Sequence, residues 1–139
     1  MTERTKKNKP TVLVIEDEPA LSEIFTMALE MDGFRVERAF DGVEGLDKAI
    51  HLKPDIIILD LLMPIKDGFD VLGDLKSNEG TVGIPVVILS NLGQDFERQR
   101  GLEMGAVCFY TKTDLDQGQL GSLLRSVMAG TGCNIAARE

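Results

Sequence analysis

The sequence predicts one three-layer α/β domain, in which a five-stranded parallel sheet is covered on both faces by five helices. The first observation is the segment 56–59, an unbroken run of three Ile and one Leu typical of a strand buried on both faces. The second is the alternation of such runs with amphipathic helical patterns, which favours parallel strands joined by right-handed crossovers. The third is that reactive polar residues follow several strands, where open α/β sheets bind ligands. Together they favour the doubly wound order 2-1-3-4-5, with a crevice between strands 1 and 3.

The first two predicted helices carry clear start and stop signals. The strands before, between and after them are predicted at 11–15, 35–40 and 56–59. Pro19 suits the first turn of helix 1, and Gly33 suits the position just after its end. Asp41 and Glu44 resemble a capping box at the start of helix 2, and Pro54 stops that helix. The apolar spacing assigns Leu21, Ile24, Phe25, Ala28 and Leu29 to the core face of helix 1, and Val43, Leu46, Ala49 and Ile50 to that of helix 2.

The second half of the domain repeats the pattern. A short helix 3 follows Gly68, strand 4 is predicted at 86–89, and strand 5 at 107–110. Helix 4, at 95–104, has few apolar residues and contains Gly101, so we expect it to be the least rigid. The pattern of helix 5, at 117–129, places Leu120, Leu123, Leu124, Val127 and Met128 on one apolar face.

Composition limits the class of protein. The 139 residues are 43% hydrophobic and 27% charged, as in ordinary globular domains, and contain no membrane-spanning run. Because the N-terminus is polar, we do not expect it to be a signal peptide. The formal charge of −8 argues against a nucleic-acid-binding surface. We expect residues 1–10 to be a disordered tail, 11–129 the domain, and 130–139 a flexible C-terminal tail. Cys108 and Cys133 show no metal or redox spacing; a core position for Cys108 fits a reducing cytoplasm.

The residues at the strand ends favour phosphoryl chemistry with magnesium. Glu16 and Asp17 follow strand 1, and Asp60 follows strand 3. Carboxylate oxygens suit Mg²⁺. Ser90 after strand 4 and Lys112 after strand 5 could hold two further phosphoryl oxygens, while Asp60 acts as the nucleophile. Each of these residues alone could be a turn or capping residue, and it is their convergence at one edge of the sheet that favours phosphoryl chemistry.

This ordered set resembles the receiver domain of two-component response regulators over about residues 11–129. The segment 12–19 resembles the family's acidic-pair segment, and Asp60 with Met63-Pro64 and the following Asp67-Gly68 resembles its phosphoacceptor segment. Ser90 and Lys112 fall at the family's Ser/Thr switch and lysine positions. The resemblance implies a flavodoxin-like fold.

The resemblance also implies a mechanism, in which a histidine kinase or phosphotransfer protein passes a phosphoryl group to Asp60 with Mg²⁺. Glu16, Asp17, Asp60 and the backbone carbonyl of Leu62 would hold the metal. Ser90 would then turn inward and Phe109 would follow. The face formed by helix 4, strand 5 and helix 5 would change and engage a downstream protein, an output domain or a second copy. Such a domain is a switch and not an enzyme in its own right.

The chain departs from the family pattern at three positions. Glu16 replaces the commoner Asp, and its longer side chain would reach the metal through water or in a different geometry. We expect Asp17 to matter more for the metal, because the exit of strand 1 aims one of these two adjacent side chains directly at Asp60. Thr113 replaces the usual Pro after Lys112, and a non-proline cis bond is costly, so we expect this bond to be trans. Phe109 lacks the hydroxyl of the commoner Tyr, so its switching must depend on packing.

Two leucines suggest a long-lived signal. Leu62 and Leu92 lie two residues after Asp60 and Ser90, at positions that are commonly polar in the family and flank the phosphoryl group. Leucine cannot orient a hydrolytic water, so self-dephosphorylation should be slow. The alternative is that both side chains serve packing.

Two other functions fit less well. A phosphohydrolase of the haloacid dehalogenase type would carry an Asp general acid where this chain has Leu62. A flavin or dinucleotide binder needs a phosphate cradle after strand 1, where 16–18 is acidic.

Overall fold

A computed structural model describes residues 9–91, 95–113 and 115–133. Five parallel strands form one sheet in the order β2-β1-β3-β4-β5, which confirms the predicted doubly wound topology. The strands are β1 (Thr11–Ile15), β2 (Arg35–Ala39), β3 (Ile56–Leu59), β4 (Val86–Ser90) and β5 (Cys108–Thr111). The helices are α1 (Pro19–Met31), α2 (Gly42–Leu52), α3 (Gly68–Ser77), α4 (Asp95–Glu103) and α5 (Gln117–Met128).

The sheet has an apolar core on each face because successive strand residues point to opposite sides. In β3, Ile57 and Leu59 pack on the face that α2 and α3 cover, whereas Ile56 and Ile58 pack on the face that α1 and α5 cover. All four β3 side chains are buried. The three-layer arrangement therefore follows from the apolar run that predicted it.

The predicted capping signals of α2 are present as hydrogen bonds. The Asp41 carboxylate accepts from the Glu44 amide at 2.8 Å, and the Glu44 carboxylate accepts in return from the Phe40 amide at 2.8 Å. Each bond satisfies an amide that the helix itself cannot satisfy. α5 has a comparable capping box, in which Asp116 and Gln119 cap each other's amide groups.

Two predicted core residues are instead exposed. Ile24 is 41% exposed, and α1 turns Ser22 and Thr26 toward the sheet in its place. Their polarity is accommodated because the Thr26 hydroxyl donates to the Ser22 carbonyl at 2.7 Å and the Ser22 hydroxyl accepts from Arg38 at 2.9 Å. Val43 is 56% exposed, since α2 faces the sheet with small residues, one of them the buried Ala49.

Helix α4 has the thin apolar face that its sequence indicated. Phe96 is 68% exposed and Leu102 is 42% exposed, and Gly101 is the residue of α4 that is buried. A side chain at Gly101 would crowd Ile88 and Phe109, so the glycine allows α4 to lie close to β4 and β5. Within the described residues, no helix is long and apolar enough to cross a membrane.

The cysteines correct the prediction of a reduced thiol. Cys108 is buried as expected, but it forms a disulfide with Cys133, with 5.8 Å between the two Cα atoms. Sequence spacing could not reveal this pair because the partners lie 25 residues apart and α5 brings the chain back to β5. Residues 130–133 of the predicted tail therefore adjoin the domain, whereas residues 1–8 and 134–139 lie outside the described residues.

Candidate functional site

The candidate site lies at the carboxyl ends of β1, β3, β4 and β5. Strand pairing places Ile15 beside Leu59, and the amide of Asp60 donates to the Ile15 carbonyl at 3.1 Å. The residues that follow β1 are thereby held next to Asp60. On the other side, the amide of Lys112 donates to the Ser90 carbonyl at 2.9 Å, which holds the ends of β4 and β5 together.

Three carboxylates and one ammonium group converge there. Glu16, Asp17 and Asp60 each offer an oxygen within 4.8 Å of the others. The Nζ atom of Lys112 lies 2.8 Å from a Glu16 oxygen and 3.4 Å from an Asp60 oxygen. The other Glu16 oxygen accepts from the Glu18 amide at 3.1 Å. Glu16 is thus engaged on both oxygens, by Lys112 and by the backbone.

Burial gives the site unusual protonation behaviour. Asp60 is 4% exposed and Glu16 is 2% exposed. Burial and the neighbouring Glu16 charge raise the pKa of Asp60 from 3.8 to about 7, although Lys112 acts in the opposite direction. Burial also raises the pKa of Glu16. For Lys112, burial acts to lower the pKa, but its hydrogen bond to Glu16 and the charge of Asp60 raise it above the ordinary value.

The donor set fits a divalent cation. Three carboxylates crowded in a poorly solvated place repel one another, and a hard cation would relieve that repulsion. An all-oxygen donor set is what Mg²⁺ and Ca²⁺ prefer, and Mg²⁺ uses few carboxylates with water and phosphate oxygens completing its shell. Glu16, Asp17 and Asp60 therefore form a site compatible with a divalent metal. The carbonyl of Leu62 as a further ligand stays a prediction.

The remaining predicted residues lie around this cluster. Ser90 is fully buried, and Phe109 is 3% exposed on the face of the sheet that α4 adjoins. The Lys112–Thr113 bond is trans, as expected, since no described peptide bond is cis. The Leu62 side chain is 53% exposed, so it does not belong to the core, and Leu92 lies outside the described residues.

Two contacts near the site went unrecognised in the sequence. Arg98 of α4 stacks its guanidinium 5.1 Å from the Phe109 ring centre and donates to the Phe109 carbonyl at 2.6 Å. No sequence signal marks this pair, because the residues are 11 apart on different elements. Gly68 lies against the Asp60 carbonyl so closely that a Cβ there would collide with it. The sequence marked Gly68 through the Asp67-Gly68 pair, but it gave no sign of the close contact with the Asp60 carbonyl.

Comparisons with known proteins identify the family of this chain. The model of the response regulator receiver domain matches residues 12–125. The DNA-binding dual master transcriptional regulator RpaA of Synechocystis sp. is 43% identical over 103 residues, which is 74% of this chain and 43% of that protein. The phosphate regulon transcriptional regulatory protein PhoB of Pseudomonas aeruginosa is 33% identical over 122 residues, 88% of this chain and 53% of that protein.

Solved structures show the same fold. The receiver domain of the Francisella response regulator 1452 superposes with a TM-score of 0.81 at 28% identity, covering 88% of this chain and 99% of the other. The Vibrio cholerae chemotaxis protein CheY4 gives a TM-score of 0.79 at 27% identity, over 86% and 98% of the two chains.

The chain belongs to the response regulator receiver domain family, and it is a receiver domain of the two-component signalling type. The family is one of signalling domains, and nothing in the comparisons supports the phosphohydrolase alternative. The chain spans about half the length of the curated relatives it matches, 43% of RpaA and 53% of PhoB.

Proposed function

We propose that the chain accepts a phosphoryl group on Asp60 from a histidine kinase or a histidine phosphotransfer protein, with Mg²⁺ as the cofactor. One observation carries the proposal. Asp60 is a buried carboxylate at the end of a central strand, held among two further acids and one lysine ammonium group. A structural role does not require so many charged groups in one place. Phosphoryl transfer uses one carboxylate as the nucleophile, the others as metal ligands, and the ammonium group to stabilise the developing negative charge.

In the proposed reaction, an Asp60 oxygen attacks phosphorus while the bond from phosphorus to the donor's histidine nitrogen breaks. Glu16, Asp17 and Asp60 would hold Mg²⁺, which when bound would supply positive charge to the phosphoryl oxygens. Lys112 already touches Asp60, and its ammonium group can turn to a phosphoryl oxygen as negative charge develops there. The Ser90 hydroxyl binds another phosphoryl oxygen.

The output of the switch is proposed to pass through Phe109 and Arg98. Movement of Ser90 toward the phosphoryl group alters the packing beside Phe109, whose ring and carbonyl both contact Arg98. A change at Phe109 therefore reaches α4, which has few buried residues to resist it. The face of α4, β5 and α5 then binds a downstream protein, an output domain or a second copy of the chain.

The lifetime of the signal is proposed to be long. Leu62 is half-exposed beside the phosphoacceptor, where a polar residue would help a water to attack. Leu62 and Leu92 offer no hydrogen bond to such a water, so autodephosphorylation is slow. The domain promotes only the uptake of its own phosphoryl group and the hydrolysis of its own aspartyl phosphate.

The cellular setting is proposed from the family and the charge. Response regulators act beside kinases in the cytoplasm, and the formal charge of −8 supports no direct nucleic-acid contact by this domain. RpaA is named as a DNA-binding regulator. Any such contact here would belong to an output region outside this domain.

The proposal is tested with acetyl phosphate, a small phosphoryl donor, followed by intact mass measurement. With Mg²⁺ the wild-type chain should gain one phosphoryl group, and with a chelator it should gain none. Asp60→Asn should stay unmodified, while Asp70→Asn, which removes an exposed acid of α3, should react like wild type. Equal labelling of Asp60→Asn and wild type would refute the proposal.

A further inference from the structure

The disulfide between Cys108 and Cys133 joins two parts of the chain with different exposure. Cys108 lies in β5, an edge strand of the sheet, and is 2% exposed. Cys133 lies five residues after the end of α5 and is exposed. The bond therefore ties the segment that leaves the domain to the edge of the sheet.

Besides the disulfide, several hydrogen bonds near the surface hold this segment. The Thr131 hydroxyl lies 2.8 Å from the Ser126 hydroxyl and donates to the Ser126 carbonyl at 3.0 Å. The Tyr110 hydroxyl donates to the Cys133 carbonyl at 3.0 Å, and the Ser126 hydroxyl donates to the Gly132 carbonyl at 2.8 Å. The Thr131 amide donates to the Ser126 carbonyl at 3.0 Å. Hydrogen bonds of this kind, at or near the surface, compete with water and contribute little by themselves. The glycines at 130 and 132 adopt positive φ angles of 82° and 87°, so the turn also depends on backbone that is intrinsically permissive.

We propose that Cys108 and Cys133 form a reversible thiol–disulfide site that exchanges electrons with a small disulfide such as glutathione disulfide. In this proposal, oxidation docks residues 130–133 on β5 and reduction releases them. The state of the bond sets the direction in which the chain continues past α5. The site is separate from Asp60, because Cys108 begins β5 whereas Lys112 follows its end.

The exchange balances in atoms and electrons. The exposed Cys133 thiolate attacks one sulfur of glutathione disulfide, whose S–S bond breaks and releases one glutathione thiol. The Cys108 thiolate then attacks the Cys133 sulfur of this mixed disulfide and releases the second glutathione. Two electrons pass from the protein to glutathione, and the two protons of the protein thiols end on the two glutathione thiols. Reduction runs the same steps backwards and starts at Cys133, since Cys108 is buried.

The position of Cys108 in β5 determines which face of the sheet the disulfide lies on. Cys108 and Tyr110 point to the face of the sheet that α5 covers, whereas Phe109 points to the opposite face. The bond therefore holds residues 130–133 against β5 without filling the space beside Phe109. A receiver joined to further chain would present that chain differently in its two redox states.

The test equilibrates the folded chain in buffers of varied reduced-to-oxidised glutathione ratio. Free thiols are counted by alkylation and mass, and amide hydrogen exchange is measured at Thr131. The bond should form and break reversibly with the ratio, and Thr131 should exchange at least about tenfold faster in the reduced chain. Cys133→Ser should show the fast rate in every buffer, and Tyr110→Phe, which removes a hydrogen bond but no thiol, should keep the redox dependence.

Three results would overturn the proposal. These are thiols that stay free under oxidising glutathione, a bond that no glutathione ratio reduces in the folded chain, and a Thr131 exchange rate that ignores the redox state. None of these measurements involves phosphorylation, so the proposal stands or falls independently of the role of Asp60.

Discussion

Replacing Asp60 with Asn should stabilise the metal-free protein, and the gain should grow with pH. Burial and the charge of Glu16 raise the pKa of Asp60 from 3.8 to about 7. An acid with a higher pKa in the folded state binds its proton more tightly when folded. Its contribution to stability is therefore complete below pH 3.8 and is lost as the pH rises through about 7. Asparagine carries no charge, so the variant avoids this loss.

The size of the effect follows from the same two pKa values. At about 1.4 kcal/mol for each pKa unit, the rise from 3.8 to about 7 corresponds to about 4 kcal/mol. Roughly 2–3 kcal/mol of this falls between about pH 5 and about pH 8. Asp60 is 4% exposed, so solvent screening should remove little of it. The free energy of unfolding of Asp60→Asn relative to wild type should rise by that amount across the interval.

The assay is urea unfolding in a chelator at the two pH values, followed by circular dichroism. Glu30→Gln removes an exposed acid of α1 and provides the matched control, since its stability should follow that of wild type at both values. If the free energies of unfolding of Asp60→Asn and wild type differ by the same amount at both pH values, burial does not raise the pKa of Asp60. A gain in the free energy of unfolding that became smaller as the pH rose would mean that the pKa of Asp60 is lowered in the folded protein.

Three further outcomes are expected. Without a phosphoryl group Mg²⁺ should bind weakly, and Asp17→Asn should lower the affinity at least about tenfold. Glu16→Gln should lower it less, because Lys112 and a backbone amide already engage Glu16. A calorimetric titration in which Glu16→Gln alone abolished binding would contradict this. Gly68→Ala should lower the free energy of unfolding by about 2–4 kcal/mol, because its Cβ would collide with the Asp60 carbonyl, and an unchanged melting temperature would count against that contact. Leu62→Asn, and Leu92→Glu likewise, should shorten the phosphorylated lifetime about tenfold, a change of about 1.4 kcal/mol in the barrier; a lifetime that is equal or longer in these variants would refute the shielding argument.

The sequence predicted the topology well because its strongest signals are local. The β3 run, the Pro and Gly boundaries and the Asp41 cap each act within a few residues, and each is present in the structure. Exposure of Ile24 and Val43 was harder to foresee. Helical spacing identifies an apolar arc, but the sheet selects which part of that arc it covers.

The proximity of the candidate site residues was predictable for a different reason, because the sheet topology brings residues that are distant in sequence close together. Once β1, β3 and β5 are parallel, Glu16, Asp60 and Lys112 must emerge at one edge. The Arg98–Phe109 contact and the Cys108–Cys133 bond do not follow from topology. They depend on how closely α4 and the end of α5 approach β5, which no short sequence pattern encodes.

The central claim is that Asp60 receives the phosphoryl group, and the most direct measurement locates that group on the chain. Borohydride reduces an aspartyl phosphate to homoserine, which peptide mass spectrometry identifies by position. After treatment with acetyl phosphate and Mg²⁺, we predict homoserine at position 60 and unmodified Glu16 and Asp17. Reduction products at position 17 with Asp60 intact would contradict the account.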